Sequence, residues 1–309
     1  MSQATEIRQH KRRGHRHAAA LVRPPQSGHA PAAMASGPLA WPLKHDVLGV
    51  QVSATTCDET VSLLAQAALR GEPAVASFFA VHAVVSAAQD AALRDKVNRF
   101  QIVAPDGQPV RWALNRLYGA KLRDRVYGPE LMLRLCRRAA QDGIPIYLYG
   151  GANDDVLTAL RTNLLAMFPG LLIAGWESPP FRPLTAEEDA ALVRRINASG
   201  ARIVFIGLGC PKQDHFAAEH AGPIRAVHLC VGAAFDFHAG KTRMAPPWMQ
   251  RRGLEWLYRL WREPRRLWRR YLTTNTAFVA GVARQWAASW FRGSGRATPE
   301  SPEVEMPNA

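Results

Sequence analysis

Between residues 45 and 240 the apolar positions follow two alternating patterns. Short unbroken runs, "AVASFFA" (74–80), "FQIVA" (100–104), "PIYLYG" (145–150), "LLIAGW" (171–176), "RIVFIGLG" (202–209) and "RAVHLCVGAAF" (225–235), read as strands. Between them lie longer segments with apolar residues three and four apart: "DETVSLLAQAAL" (58–69), "AVVSAAQDAALRDKV" (83–97), "GPELMLRLCRRAAQDG" (128–143), "NDDVLTALRTNLLAMFP" (153–169) and "TAEEDAALVRRINASG" (185–200). These read as helices, each an amphipathic stripe that needs a sheet to cover. Thr185 with Glu188 three residues on forms a capping box, Gly143 marks a helix end and Pro169 another. A strand whose two faces are both apolar is covered on both sides. The pattern therefore predicts an α/β fold, a parallel sheet with helices on both faces. The strand-like stretch "HDVLGVQVS" (45–53) opens it.

In such sheets ligands bind beyond the carboxyl ends of the strands, so residues just after each strand should converge: Asp106–Gly107, Gly150–Gly151, Gly209–Gln213 and Gly232–Asp236. The stretch "IVFIGLGCPKQD" (203–214) carries glycines that let backbone approach a ligand. Pro211 suits a first helical turn, and Lys212 and Gln213 sit at that helix's N-terminus, where free N–H groups favour a phosphate. It has neither the GxGxxG spacing nor the GK[ST] ending, so neither a dinucleotide fingerprint nor a Walker loop is present, and an ordinary strand-to-helix turn is the competing reading. Asp106 sits in the turn "PDG" right after a strand. Asp-Gly is a common turn pair, but at a strand-end site its carboxylate would point inward and serve as a general base.

Charge changes the picture at the two ends. The net charge of +14 is not spread along the chain. Residues 46–240 hold 19 basic and 19 acidic side chains, whereas residues 241–296 hold 13 basic against 2 acidic. The concentrated part is "GLEWLYRLWREPRRLWRRYL" (253–272), with six arginines and three tryptophans. On a helix Leu257, Leu260, Trp261, Leu267, Trp268 and Tyr271 follow steps of three and four, with arginines on the other side, and Pro264 divides the segment into two short helices. Three readings fit. The segment lies at an anionic membrane surface, tryptophans at headgroup depth; or it binds nucleic acid; or it packs on the globule and aims arginines into the strand-end site to hold a diphosphate. The absence of a groove-reading motif in the neutral core puts nucleic acid last, and the other two readings are compatible. An apolar stripe left uncovered would offer a face to a second copy of the chain, giving a homo-oligomer.

The remaining composition narrows the class. Cys57, Cys136, Cys210 and Cys230 are far apart and form no CxxC pair, as expected of reduced thiols in a cytosolic enzyme. No apolar leader follows the basic N-terminus, and "TAFVAGVARQWAASWF" (276–291) is interrupted by Arg284 and Gln285, so neither a signal peptide nor a spanning helix is expected. His82, His215, His220 and His238 show no metal spacing; no metal and no cofactor is expected. Asp154 and Asp155 open a helix and match its dipole. Residues 1–40 form a basic tail without periodicity, expected to be disordered. The expected organisation is that tail, an α/β domain over 41–240, an Arg/Trp-rich helical appendage over 241–292, and a second tail over 293–309.

The segments "PDGQPV", "DRVYGPELM", "YLYGG", "VFIGLGCPKQDHF" and "VGAAFDFHAGKTRMAPPWMQRRGLEWLYRLWREPRRLWRRYL" occur in an order and spacing that resemble the bacterial WecG/TagA/CpsF glycosyltransferase family over residues 45–280. The resemblance implies a Rossmann-like domain with a membrane-docking C-terminal appendage. It implies an inverting, metal-independent transfer of a sugar from a UDP-sugar to a polyprenyl-diphosphate-linked acceptor at the inner face of the cytoplasmic membrane, in cell-surface polysaccharide synthesis. Carried over by position, Asp106 is the catalytic base and Arg125 and Gln213 line the pocket. Arg259, Arg266 and Arg270 are appendage arginines that neutralise the leaving diphosphate. Gly209, Lys212 and Asp236 belong to the strand-end loops of the same site. Where the family carries Asn in a Thr-x-Asn pattern, this chain has Ala80, with Phe78 in place of Thr, leaving His82 as the neighbouring polar group. Without that family, the rival readings are a non-catalytic membrane-surface or nucleic-acid binder and an NAD-dependent dehydrogenase.

Overall fold

Successive residues of each buried run point to opposite sides, and this single alternation divides the core in two. In the computed structural model, which describes residues 37–293, strand β3 (Ala74–Phe79) sends Val75 and Phe79 to one layer and Ala74, Ala76 and Phe78 to the other. β7 (Ile203–Gly207) likewise divides Val204 and Ile206 from Ile203 and Phe205. With β4 (Ile102–Pro105), β5 (Ile146–Gly150), β6 (Ile173–Glu177) and β8 (Val227–Cys230) they form a six-stranded sheet in the order β4-β3-β8-β7-β5-β6, every pair parallel. One face is covered by α1 (Cys57–Arg70), α5 (Gly128–Asp142), α6 (Asp154–Met167) and α9 (Ala234–His238). The other carries α2 (Val81–Gln89), α3 (Ala91–Asn98), α4 (Gln108–Tyr118), α7 (Ala186–Ala198) and α8 (Lys212–His220). The expected α/β architecture with both faces covered is present.

Local chemistry sets the boundaries. Thr56 and Glu59 cap α1 reciprocally, Thr185 and Glu188 do so for α7 as the sequence predicted, and Gly143 ends α5 in the left-handed region. The helix expected over 83–97 is two: Asp90 adopts extended backbone and its carboxylate accepts from the Leu93 N–H, ending α2 and capping α3. The run expected as one strand over 225–235 leaves the sheet after Cys230 and turns into α9. "HDVLGVQVS" is an antiparallel hairpin, β1 (Lys44–Val47) with β2 (Val50–Ser53), outside the parallel sheet. Its turn places Leu48 and Gly49 at φ 58° and 87°, the primed geometry a two-residue hairpin needs.

Beyond α9 come α10 (Pro247–Arg251), α11 (Glu255–Arg262) and α12 (Pro264–Gly293). Pro264 does divide the Arg/Trp segment, but the second helix runs 30 residues, about 45 Å, and is not short. It packs on the globule. Leu267 and Phe278 are buried, and Gly281 lies so close to Leu48 that a Cβ would sit 2.7 Å from its Cδ2. Gln285 accepts from the Leu48 N–H at 3.2 Å and donates to the Asp46 carbonyl at 2.8 Å. The described elements all belong to one compact unit starting at Leu39. The expected tails, 1–40 and 293–309, lie almost wholly outside the described residues. Among those residues no helix is long and apolar enough to cross a membrane.

Candidate active site

Parallel strands deliver their following residues to one edge of the sheet, and here they meet in a cleft of about 1680 Å³. Gly150 and Gly207 make the approach possible, because a Cβ on Gly150, at φ +127°, would fall 2.6 Å from the Gly207 carbonyl carbon. Asp106, Gly209, Lys212, Gln213 and Asp236 all line this cleft, as does His82 from the first turn of α2. Arg125 enters from the segment ahead of α5, and Arg259, Arg266 and Arg270 from α11 and α12. The ten residues singled out from sequence thus share one wall-to-wall site.

Asp106 follows β4 directly and is held by its own backbone, its N–H donating to the Phe79 carbonyl at 3.1 Å. Its side chain is 20% exposed, opening on the cleft. Burial pushes its carboxyl up to about 7, with Glu255 adding in the same direction; Arg125, Arg259 and the Gly128 N–H pull the other way. A carboxyl that gains and loses its proton near neutrality is matched to general-base work. Arg125 lies 3.7 Å from the Asp106 carboxylate. Its hydrogen bonds go elsewhere: Nη1 to the Asp106 carbonyl at 3.1 Å, Nη2 to Glu255 Oε2 at 2.7 Å. Tyr127 stacks under the guanidinium at 4.1 Å and donates its hydroxyl to Glu255 Oε1 at 3.2 Å.

Three residues on the cleft wall, Gln108, Gln213 and Arg270, carry a buried polar atom without a partner. Gln213 donates through Nε2 to the Cys230 carbonyl at 3.3 Å, but its Oε1 is buried and unbonded; Arg270 Nε is in the same state. Such atoms are costly unless a ligand completes them. The three appendage arginines are not alike. Arg259 is held over the Phe237 ring at 5.4 Å, and Arg270 lies beside His82, whose proton affinity is lowered by burial and then by that guanidinium. Arg266 is bonded to Glu263 and is 65% exposed, at the rim.

The faces of α11 and α12 depart in part from a simple amphipathic pattern. Arg259 and Arg270 turn toward the cleft, while Trp261, Trp268 and Leu272 are exposed at 74%, 48% and 64%. Of the three sequence readings, packing on the globule with arginines in the site describes the inner face; the outer face leaves tryptophans to another surface. Among the described residues no group of three or more His, Cys, Asp or Glu side chains gathers as a metal site.

Sequence reasoning missed Glu255 and Tyr127. Glu255 had a signal: it is one of two acids in a segment dominated by arginine. Tyr127 had none, because a tyrosine before a Gly-Pro helix start reads as packing. Ala80, expected from the resemblance to stand in place of an Asn, is the N-cap of α2 and makes no side-chain cap bond. It packs against Gly107, where a Cβ would fall 3.3 Å from the Ala80 Cα.

The strand-end cleft, its carboxyl poised near neutrality and the arginines closing over it lie within a segment, residues 45–292, that matches the sequence model of the glycosyl transferase WecG/TagA/CpsF family. That match spans most of the chain, and the protein belongs to the WecG/TagA/CpsF glycosyltransferase family.

Proposed function

We propose that the protein is an inverting glycosyltransferase that moves a sugar from a UDP-sugar to a polyprenyl-diphosphate-linked acceptor, with Asp106 as general base. The observation that carries this is the meeting of Asp106 with Arg259 and Arg270 in one cleft at the carboxyl edge of the sheet. The Asp106 carboxylate takes the proton of an acceptor hydroxyl as that oxygen bonds to the anomeric carbon. The bond from that carbon to the donor phosphate breaks on the opposite face, and UDP leaves with the electron pair. Charge growing on the β-phosphate is met by Arg270 and Arg259, with Lys212 at the α8 N-terminus supporting the diphosphate. Gln213, Gly209 and Asp236 line the donor side, and Arg266 guards the rim.

The exposed aromatics of the appendage support this reading, because a polyprenyl acceptor is confined to the bilayer. Trp261, Trp268 and Leu272 on the outer face of α11 and α12 suit headgroup depth, with Arg262, Arg265 and Arg269 beside them for anionic lipid. The protein would then work peripherally on the inner face of the bacterial cytoplasmic membrane.

The test uses the full chain with a panel of UDP-sugars and a short-chain polyprenyl-diphosphate-linked sugar. Asp106→Asn is expected to slow transfer by about 10²–10⁴-fold, the usual worth of a general base, while UDP binding by calorimetry changes little. Undiminished turnover in that variant removes Asp106 from the role. Thermal stabilisation by NAD and not by UDP would overturn the UDP-sugar donor.

A further inference from the structure

A carboxylate beside an arginine ordinarily closes a bidentate pair with it, two short parallel hydrogen bonds that occupy the lone pairs and suppress basicity. The cleft does not contain that pair. Arg125 is nearly buried, 9% exposed, and 3.7 Å from Asp106 Oδ1, yet neither terminal nitrogen hydrogen-bonds the carboxylate. Nη1 is occupied by the Asp106 backbone carbonyl, and Nη2 by Glu255 at 2.7 Å and Gln250 at 3.4 Å. Glu255 is itself only 14% exposed and is pinned at its other oxygen by the Tyr127 hydroxyl. A second buried carboxylate next to a base needs a reason, since uncompensated charge there is costly.

We propose that Glu255 is a positioning residue for the base: it draws the Arg125 guanidinium aside, leaving the Asp106 carboxylate within Coulomb reach of a cation but free of its hydrogen bonds. The lone pairs then stay open to an acceptor hydroxyl. This rests on the reading of Asp106 as base. Because Glu255 is the first residue of α11, the base is set only while the Arg/Trp helices sit on the cleft. The groups facing Asp106 are Arg125 and Tyr127 from the segment before α5, the Gly128 N–H of α5, and Glu255 and Arg259 of α11. Farther along the cleft stand His82 of α2 and Arg270 of α12. Glu255 is faced by Arg125, Tyr127 and Arg259. Removing Glu255 acts in one direction twice. It deletes an anion beside Asp106, and it releases Arg125 to close on the carboxylate.

Carbon-13 NMR of aspartate-labelled full-length protein reads this without any sugar substrate. The Asp106 carboxyl signal is identified by its loss in Asp106→Asn, and its titration midpoint is compared between wild type and Glu255→Gln. Glu255→Gln is expected to lower the midpoint by at least one pH unit, within the range an arginine partner produces. Glu255→Asp, with a shorter carboxylate, is expected to give an intermediate midpoint and is the readout should Glu255→Gln unfold. In an Arg125→Gln background the Glu255→Gln effect should shrink by more than half, because there is no guanidinium to release. An unmoved or raised midpoint overturns the proposal. So does an undiminished fall in the Arg125→Gln background, which would mean that Glu255 acts on Asp106 directly, as a neighbouring anion, and not through the guanidinium. Transfer by Asp106→Asn decides the role of the base separately: a turnover-competent Asp106→Asn sinks the base reading whatever the titration shows.

Discussion

Replacing Asp106 by Asn should make the protein more stable at pH 8 while disabling it. The folded carboxyl binds its proton more tightly than an unfolded one, its pKa raised from the ordinary 3.8 to about 7 by burial first and Glu255 second. Ionising it therefore works against the fold. Below about pH 4 both states are protonated and the cost is absent; it grows between pH 4 and 7 and levels off above. At about 1.4 kcal/mol per pH unit the full cost is about 4 kcal/mol. Asn keeps the shape without the charge, and Arg125 is not orphaned, because Glu255 still holds it at 2.7 Å. The expected gain is about 2–4 kcal/mol at pH 8, or about 4–8 °C in Tm for a chain of this size. It should fall to less than half of that at pH 5 and become small near pH 4. Urea unfolding of both full-length proteins at four pH values measures it. A gain that does not change with pH, or a loss at pH 8, would show that Asp106 is not a desolvated carboxylate and would remove the physical basis for its role as base.

Other outcomes follow from single contacts. Ala80→Asn supplies the missing side-chain cap of α2 and should stabilise the chain by about 1 kcal/mol in denaturant unfolding; a destabilisation would mean that the side chain clashes at Gly107. Arg270→Ala should slow transfer about 10²–10³-fold, since it lines the cleft with a buried, unbonded Nε, whereas Arg266→Ala, exposed and paired with Glu263, should cost less than tenfold; initial rates showing the reverse order would exchange their roles. Leu267→Ala, 1% exposed on the inner face of α12, should cost about 2–4 kcal/mol in unfolding free energy. Trp261→Ala with Trp268→Ala should leave stability and UDP binding unchanged but reduce sedimentation with anionic phosphatidylglycerol vesicles several-fold; unchanged sedimentation would leave the exposed tryptophans without a membrane role.

What could be read along the chain was whatever depends on neighbours in sequence. Unbroken apolar runs at β3, β5, β7 and β8 announced strands covered on both faces, and Thr185 with Glu188 announced the start of α7, because strand period and capping are local. Since parallel strands end at the same edge, the convergence of Asp106, Gly209, Gln213 and Asp236 followed from the strand assignments alone. Where one local signal competed with another the reading slipped: Asp90 looked like a polar helix position and is a cap, and "VGAAF" looked like strand and is the entry to α9. The helical period of Val110, Ala113, Leu114 and Leu117 was equally legible, yet α4 was not recognised.

The orientation of the Arg/Trp helices belongs to the tertiary structure. A helical wheel predicts apolar residues inward and arginines outward, because burial of apolar area is the dominant local bias. Here the surface they meet is a cleft bearing Asp106 and Asp236, and Arg259 and Arg270 turn inward to it while Trp261 and Trp268 are left outside. The link between Glu255 and Arg125 joins residues 130 positions apart, and no periodicity encodes it. It exists because α12, anchored by the buried Phe278 and by Gly281 and Gln285 on the β1–β2 hairpin, holds α11 over the end of β4. Secondary structure and the sheet edge come from short-range preferences; which charged groups meet at that edge is decided by long-range packing.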